Sequence, residues 1–253
     1  MSLRPPLTVL LVINAMVAVS CEAQGPNGEE GQLSFKAHAP TAAVVRGKMA
    51  LNLAQERDGF LAVPHDNSAS HRQPLLILMH GATQASRLFD RLVPLADTLG
   101  VVILAPESRG ITWDAIRGEF GPDVEFLDRA IMAAFDRAHI DPCRVVLGGF
   151  SDGATYALSL AIRNAHQFSG VVAFSPGFIV PAPEVGKLPV FLRHGTQDQI
   201  LPIDRASRPI LSALRQAGFT VDYQEFDGPH TVRPADARAA MQWVSARTCA
   251  TAR

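Results

Sequence analysis

The chain has 253 residues, of which 47% are hydrophobic and 19% charged, a composition typical of a globular protein with a sizeable core. Its formal net charge of −1 gives no basic surface for nucleic acid, so we expect no nucleic-acid partner. The length suits one sizeable α/β domain or two small ones.

The first 23 residues have the pattern of a secretory signal peptide. Arg4 precedes an apolar run from Leu7 to Val19, and small residues follow it. The run is short for a bilayer span, so a signal peptide is favoured over a transmembrane anchor, with a buried N-terminal helix as the alternative. "AVSC" also resembles a bacterial lipobox in which Cys21 would carry a lipid, although Ala18 stands where leucine is usual. We expect a secreted or periplasmic protein, held at a membrane only if Cys21 is lipidated.

The rest of the chain divides into a short leader and one domain. Residues 24–32 are polar and glycine-rich, which predicts a flexible leader, and residues 33–250 are expected to form a single domain. Short strands are expected in residues 32–64, where Asp58-Gly59 signals a turn. Further apolar runs predict buried strands at 74–79, 101–105, 144–148, 171–174 and 190–195, and residues 220–226 are expected to form the last strand. Helical periodicity covers 88–99 (interrupted by Pro94), 124–135, 154–164, 204–217 and 235–246.

Alternating strands and helices with short links predict a mostly parallel sheet with helices on both faces. Functional groups in such sheets lie beyond the carboxyl ends of the strands. "GFSDG", residues 149–153, joins one predicted strand to one predicted helix. At such a junction a G-x-S-x-G sequence forms a strained turn that exposes the serine hydroxyl, which predicts Ser151 as a nucleophile.

A serine nucleophile needs a base to take its proton and an acid to orient that base. Asp198 and His230 follow two later strands, in the chain order serine, acid, histidine. Rival candidates are His194 for the base and Asp204 or Asp227 for the acid. We expect His194 to end a strand, Asp204 to open a helix and Asp227 to shape a turn.

The sequence also predicts where a negatively charged oxygen would be bound. Backbone N–H groups usually form such an oxyanion hole. We expect one donor from Asp152, at a helix N-terminus, and the other from Ala82 or Thr83, after the first core strand. His80, in the same turn, is interpreted as a packing or anchoring residue.

Six segments taken together resemble the α/β-hydrolase superfamily, and most closely its small carboxylesterase/phospholipase and dienelactone-hydrolase-like branches. The segments are "LMHGA", "LAPESRG", "GGFSDGATYALSLA", "AFSPGF", "HGTQDQILPID" and "FDGPHTV". The resemblance implies hydrolysis of carboxylic esters through an acyl-enzyme formed on Ser151, with no metal or organic cofactor. Dienelactone hydrolases carry cysteine as nucleophile, and "DGPH" has proline where "DGGH" is frequent.

The segment between the sixth and seventh strands, 175–189, is too short for a helical lid, so we expect no large lid domain and a small-molecule or polymeric ester as substrate. Trp113, Phe120 and Phe178 are candidate substrate-binding residues, with loop packing as the alternative. Other activities remain open: an extracellular polyester depolymerase, a cell-wall (feruloyl or acetyl) esterase, a lysophospholipase or thioesterase, and a hydrolase-fold binding protein without catalysis. The sequence leaves the oligomeric state open.

Cys143 and Cys249 follow the lipobox cysteine. Export to an oxidising compartment favours a disulfide between them, and two unpaired cysteines are the alternative.

Overall fold

A computed structural model describes residues 31–181 and 185–248. The predicted signal segment, with Cys21, and residues 24–30 of the predicted leader lie outside the described residues. Residues 31 and 32 are not a free leader, because the Asn164 amide donates to the Gly31 carbonyl at 2.8 Å and the Gln32 amide donates to the Arg163 carbonyl. In the part of the chain that the structure describes, we find no helix with the length and apolar character of a membrane span.

The described strands form one eight-stranded sheet. The strands are β1 (Gly47–Ala50), β2 (Gly59–Val63), β3 (Gln73–Met79), β4 (Val102–Pro106), β5 (Ile140–Phe150), β6 (Gly170–Phe174), β7 (Val190–Gly195) and β8 (Val221–Phe226). Their order across the sheet is β1-β2-β4-β3-β5-β6-β7-β8. Pairing is antiparallel from β1 to β4 and parallel from there to β8, which confirms the predicted mostly parallel sheet.

The described helices are α1 (Val93–Leu99), α2 (Asp114–Arg117), α3 (Pro122–Arg137), α4 (Asp152–Arg163), α5 (Ser207–Gln216) and α6 (Pro234–Ser245). Two 3-10 helices, Ser86–Leu92 and Ile203–Arg205, precede α1 and α5. The predicted interruption at Pro94 is confirmed: α1 starts at Val93, so the proline occupies the first turn, where its missing N–H breaks no helical hydrogen bond.

Helices cover both faces of the sheet because the strands are apolar on both. In β3 the side chains of Leu75 and Ile77 join one apolar cluster, whereas those of Leu76 and Leu78 join the other. Helices α3, α4 and α5 contribute to the first cluster, and α1 and α6 to the second. A core on each side holds the strand ends in fixed positions.

Strand β5 extends beyond its predicted end at residue 148. Gly149 pairs with Met79 of β3, and Phe150 pairs with Phe174 of β6. Ser151 therefore follows the strand directly. The described residues between β6 and β7, 175–181 and 185–189, form neither helix nor strand.

Candidate active site

Ser151 occupies a strained turn between β5 and α4. Its φ of 58° and ψ of −124° lie in a region that residues other than glycine rarely adopt, at a cost of about 1–3 kcal/mol. Hydrogen bonds hold the turn: the Ser151 N–H donates to the Phe174 carbonyl, and its own carbonyl accepts the Ala154 N–H, each at 2.9 Å. The sequence motif forms the turn that it predicted.

Two glycines allow this turn because no side chain would fit at either position. A Cβ atom on Gly149 would lie 2.4 Å from the Gly153 carbonyl, and one on Gly153 would lie 2.1 Å from the Met79 carbonyl. Such distances are far below van der Waals contact. The first turn of α4 therefore packs directly against the ends of β3 and β5, and this close packing fixes the height of Ser151 above the sheet.

The structure brings Ser151, His230 and Asp198 together. His230 Nε2 lies 2.9 Å from Ser151 Oγ, and Nδ1 lies 2.5 Å from Asp198 Oδ2. A carboxylate only accepts hydrogen bonds, so Nδ1 carries the proton and Nε2 is free to accept the serine proton. The ring also packs on Phe150, with centroids 4.6 Å apart. This arrangement can transfer a proton from the serine hydroxyl to the imidazole.

Asp198 is buried, yet its surroundings favour the charged form. Burial raises the pKa of this carboxyl, but the N–H of Leu201, the ring of His230 and the N–H of Ile200 outweigh burial, so the pKa lies below its usual value. Asp198 Oδ1 accepts the N–H groups of Ile200 and Leu201 at 2.9 and 2.8 Å. Asp198 is therefore a carboxylate whose orientation is fixed by the backbone.

The loops that carry the acid and the histidine are joined by backbone contacts. The Thr196 N–H donates to the Phe226 carbonyl at 2.8 Å, and the Gln197 N–H donates to the Gly228 carbonyl at 2.9 Å. A Cβ atom on Gly195 would lie 2.3 Å from that Gly228 carbonyl, so only glycine allows this approach. Proline before His230, unusual at this position, is compatible with the close contact between the loops.

The loop after β3 supplies one candidate oxyanion donor. A Cβ atom on Gly81 would lie 3.2 Å from the Ser151 Cβ, so this loop lies against the nucleophile. Among the described residues, the N–H groups of Ala82 and Asp152 have no acceptor. The Thr83 N–H instead donates to the Ile111 carbonyl at 2.7 Å, so Thr83 is not an oxyanion donor, contrary to the prediction. Ala82 and Asp152 remain as the two candidate donors.

His80 is fully buried and anchors the loop, as we expected from the sequence. The Ser108 N–H donates to its Nε2 at 3.1 Å, so its proton is on Nδ1, which donates to the Gly81 carbonyl at 2.8 Å. Burial lowers the pKa of this imidazole, so it stays neutral. The His80 carbonyl accepts the indole N–H of Trp113 at 2.8 Å.

Two of the three predicted substrate-binding residues, Trp113 and Phe120, are buried in the core instead. Trp113 is fully buried, where it packs on Tyr156 with ring centroids 5.2 Å apart. Phe120, 8% exposed, packs on the same tyrosine at 5.4 Å. Both rings belong to the core because a strand-end loop folds back over α4. Phe178 is 45% exposed, and its role in binding stays a prediction.

The two rival acids lie outside the triad. The Asp204 carboxylate pairs with Arg208 on α5, and the Asp227 carboxylate accepts the Gln197 amide at 2.6 Å. The carboxylate of Asp152 accepts the Thr112 hydroxyl at 2.6 Å, beside the N-terminus of α4. None of these three contacts involves His230.

His194, the rival base, ends β7 as expected but also contacts the acid, which the sequence did not predict. Its Nε2 lies 3.0 Å from Asp198 Oδ2 and 2.9 Å from the Leu201 carbonyl. Both partners are acceptors, so Nε2 carries the proton and Nδ1 accepts the Ser207 hydroxyl at 2.6 Å. Burial lowers the pKa of His194, so the ring is neutral. Two imidazole N–H groups therefore face one oxygen of Asp198.

We expect His194→Phe to lower kcat about 10-fold with little change in KM, because Asp198 Oδ2 loses one of its two N–H neighbours. The loss is expected in kcat and not in KM because Asp198 orients the His230 ring and does not contact the substrate. The measurement is kcat and KM with a short ester.

Asn67→Ala is the matched control for general destabilisation. Asn67 is fully buried and forms side-chain hydrogen bonds to Gln73 and His139, at the opposite end of the sheet. An equal loss of kcat in both variants would contradict a positioning role for His194.

Cys143 is disulfide-bonded. Cys249 lies outside the described residues, so the pairing between the two stays a prediction.

Comparisons with known proteins agree with this geometry. A sequence model described as phospholipase/carboxylesterase matches residues 122–244, which include Ser151, Asp198 and His230. NocK of Nocardia uniformis subsp. tsuyamanensis is 29% identical over 147 residues, 53% of this chain and 43% of NocK. Acyl-protein thioesterase 1 of Saccharomyces cerevisiae is 32% identical over 85 residues, 30% of this chain and 37% of that protein. The chain thus matches less than half the length of these relatives.

Solved structures show the same fold. Esterase PE8 superposes with a TM-score of 0.57 at 21% identity, covering 73% of this chain and 97% of that one. The Bacillus cereus carboxylesterase superposes with a TM-score of 0.55 at 21% identity, covering 73% of this chain and 92% of that one. FphF, a fluorophosphonate-binding serine hydrolase of Staphylococcus aureus, superposes with a TM-score of 0.61 at 14% identity. The superposition covers 82% of this chain and 99% of that one. The sheet order, the turn at Ser151 and these likenesses together show that the chain has the α/β-hydrolase fold, and residues 122–244 resemble the phospholipase/carboxylesterase family.

Proposed function

We propose that this protein is an exported serine hydrolase that cleaves carboxylic esters through an acyl-enzyme on Ser151. The observation that carries the proposal is the continuous hydrogen-bonded chain from Ser151 Oγ through His230 to Asp198, beside the unoccupied N–H groups of Ala82 and Asp152. Export is proposed from the N-terminal sequence alone.

In the first half of the reaction, Ser151 Oγ attacks the ester carbonyl while His230 Nε2 takes the hydroxyl proton. The carbonyl oxygen becomes negatively charged and accepts hydrogen bonds from the Ala82 and Asp152 N–H groups, with the α4 dipole adding to the attraction. His230 then returns the proton to the alcohol oxygen, and the bond between carbonyl carbon and alcohol oxygen breaks. The acyl group stays on Ser151.

In the second half, water takes the place of the alcohol. His230 removes a proton from the water as it attacks the acyl carbonyl, and it then protonates Ser151 Oγ as the carboxylic acid leaves. Asp198 remains ionised throughout and stabilises the charged imidazole. A thioester could follow the same steps, and the match to an acyl-protein thioesterase supports testing thioesters beside oxygen esters.

The test combines turnover with covalent labelling. We expect p-nitrophenyl acetate and butyrate to be hydrolysed with saturation kinetics, and a fluorophosphonate probe to label one residue, identified as Ser151 by peptide mass spectrometry. Prior labelling should abolish turnover. A folded protein that neither hydrolyses any ester or thioester nor reacts with the probe would be a binding protein with this fold, contrary to the proposal.

A further inference from the structure

An apolar cavity of about 190 Å³ opens beside His230. Its walls include Leu88 and Phe89 from the 3-10 helix before α1, and Phe150 and Phe174 from the ends of β5 and β6. These side chains present only carbon and hydrogen. The cavity therefore suits a hydrocarbon chain better than a polar group.

The mouth of this cavity lies next to the nucleophile. Gln84 and His230 are both in the wall, and His230 Nε2 lies 2.9 Å from Ser151 Oγ. A Cβ atom on Gly81 would lie 2.9 Å from the Gln84 side-chain oxygen and 3.2 Å from the Ser151 Cβ, so Gln84 is also close to the serine. A chain attached to Ser151 Oγ can enter the cavity between these two residues.

The cavity continues outward as a groove of about 490 Å³ between α1 and α6. Arg91, Leu92 and Val232 line both spaces, which shows that they adjoin. Beyond them the groove is lined by apolar residues of both helices and by Arg238. One continuous path thus leads from the nucleophile across an apolar surface to two arginines.

Two arginines give the groove positive charge: Arg91 lies where the groove meets the cavity, and Arg238 lies farther out. Arg91 and Arg238 are exposed, and the lining contains no carboxylate. Within the described residues neither arginine forms an ion pair, and two nearby acids are already engaged: Asp90 with Lys48 and Asp236 with Arg233, each at 2.6 Å. Two unpaired guanidinium groups beside an apolar surface complement an anion that follows a hydrocarbon chain.

We propose that the acyl group of the substrate lies in this cavity and groove and ends in a carboxylate, so that the substrate is a half-ester of a long aliphatic dicarboxylic acid. This inference rests on the proposed esterase function. The acyl group, rather than the alcohol, is assigned to the enclosed cavity because it stays bound to Ser151 through both halves of the reaction. The alcohol must leave and admit water beside His230 before the second half can begin.

The experiment compares matched esters that differ only in charge. The substrates are p-nitrophenyl octanoate and the mono-p-nitrophenyl half-ester of the eight-carbon dicarboxylic acid, with the same pair of esters at six, ten and twelve carbons to locate the best length. The readout is the ratio of kcat/KM for the charged ester to that for the uncharged ester. We expect a ratio above 10 for the parent at the best length, and a fall of at least 10-fold in the Arg91→Gln/Arg238→Gln double variant.

Arg215→Gln, which removes an exposed arginine from α5 on the other face of the sheet, is the control and should keep the parent ratio. The parent ratio should also fall as ionic strength rises, since exposed charges are screened. An equal ratio in parent and double variant, with octanoate hydrolysed, would overturn this inference and leave the esterase proposal intact. Failure to hydrolyse any ester would contradict the proposed esterase function itself.

Discussion

Replacement of Ser151 by alanine should lower kcat for p-nitrophenyl butyrate by about 10⁵- to 10⁶-fold. The variant loses the oxygen that forms the acyl-enzyme, and no other described hydroxyl lies within hydrogen-bond distance of His230 Nε2. The oxyanion donors Ala82 and Asp152 remain, so a residual rate above the reaction in water is expected. The variant should fold, because Ser151 contributes to the turn through its backbone.

Ser212→Ala is the matched control. Its hydroxyl lies on exposed α5 and contacts only the Gln216 side chain, so the control should retain parental kcat and fluorophosphonate labelling. Steady-state kinetics and peptide mapping on both variants complete the measurement. Retention of more than about 1% of the parental rate by the alanine variant, after purification that excludes contaminating esterase, would show that Ser151 is not the nucleophile.

The sequence predicted the parallel sheet and the sites of Ser151, Asp198 and His230 because those features are local. Ser151, Asp198 and His230 lie one, three and four positions after the ends of β5, β7 and β8. The carboxyl ends of parallel strands meet at one edge, so order along the chain is enough to bring the residues together. No knowledge of side-chain packing is needed for that step.

Packing between distant segments explains what the sequence did not predict. The position of Trp113 on a strand-end loop predicts a substrate-binding residue, yet that loop returns to the core and buries the ring against His80. The Thr83 N–H is occupied by Ile111, 28 positions later in the chain. Neither contact leaves a periodic or compositional signal in the sequence from which it could be predicted.

The cavity beside His230 is a further example. Its wall combines residues from β3, the 3-10 helix before α1, β5, β6 and the loop of His230, so it exists only when these segments assemble. For His194 a weak signal was present, because Asp198 lies four positions after it. That spacing alone does not tell whether the two side chains face each other. They do so because the loop after β7 turns back and brings Asp198 against His194.

Asp198→Asn should lower kcat by about 10⁴-fold while the fold is retained. The asparagine oxygen can still accept the Ile200 and Leu201 N–H groups, which places its NH₂ group where Oδ2 was. That NH₂ would donate to His230 Nδ1 and favour the tautomer with its proton on Nε2, which cannot accept the proton of Ser151. It would also face the Nε2–H of His194, donor against donor, which should lower the free energy of unfolding by about 1–3 kcal/mol.

Asp204→Asn tests the assignment against the rival acid on the same segment. Asp204 is exposed and paired with Arg208, so its replacement should change kcat less than twofold and stability by less than about 1 kcal/mol. Kinetics with a short ester and denaturant unfolding on both variants separate the two carboxylates. A loss of four orders of magnitude in Asp204→Asn, with Asp198→Asn near the parental rate, would mean that the loop after β7 rearranges in the working enzyme. The hydrogen bonds of Asp198 to His230, Ile200 and Leu201 argue against such a rearrangement, because moving the loop would leave a buried carboxylate without its partners.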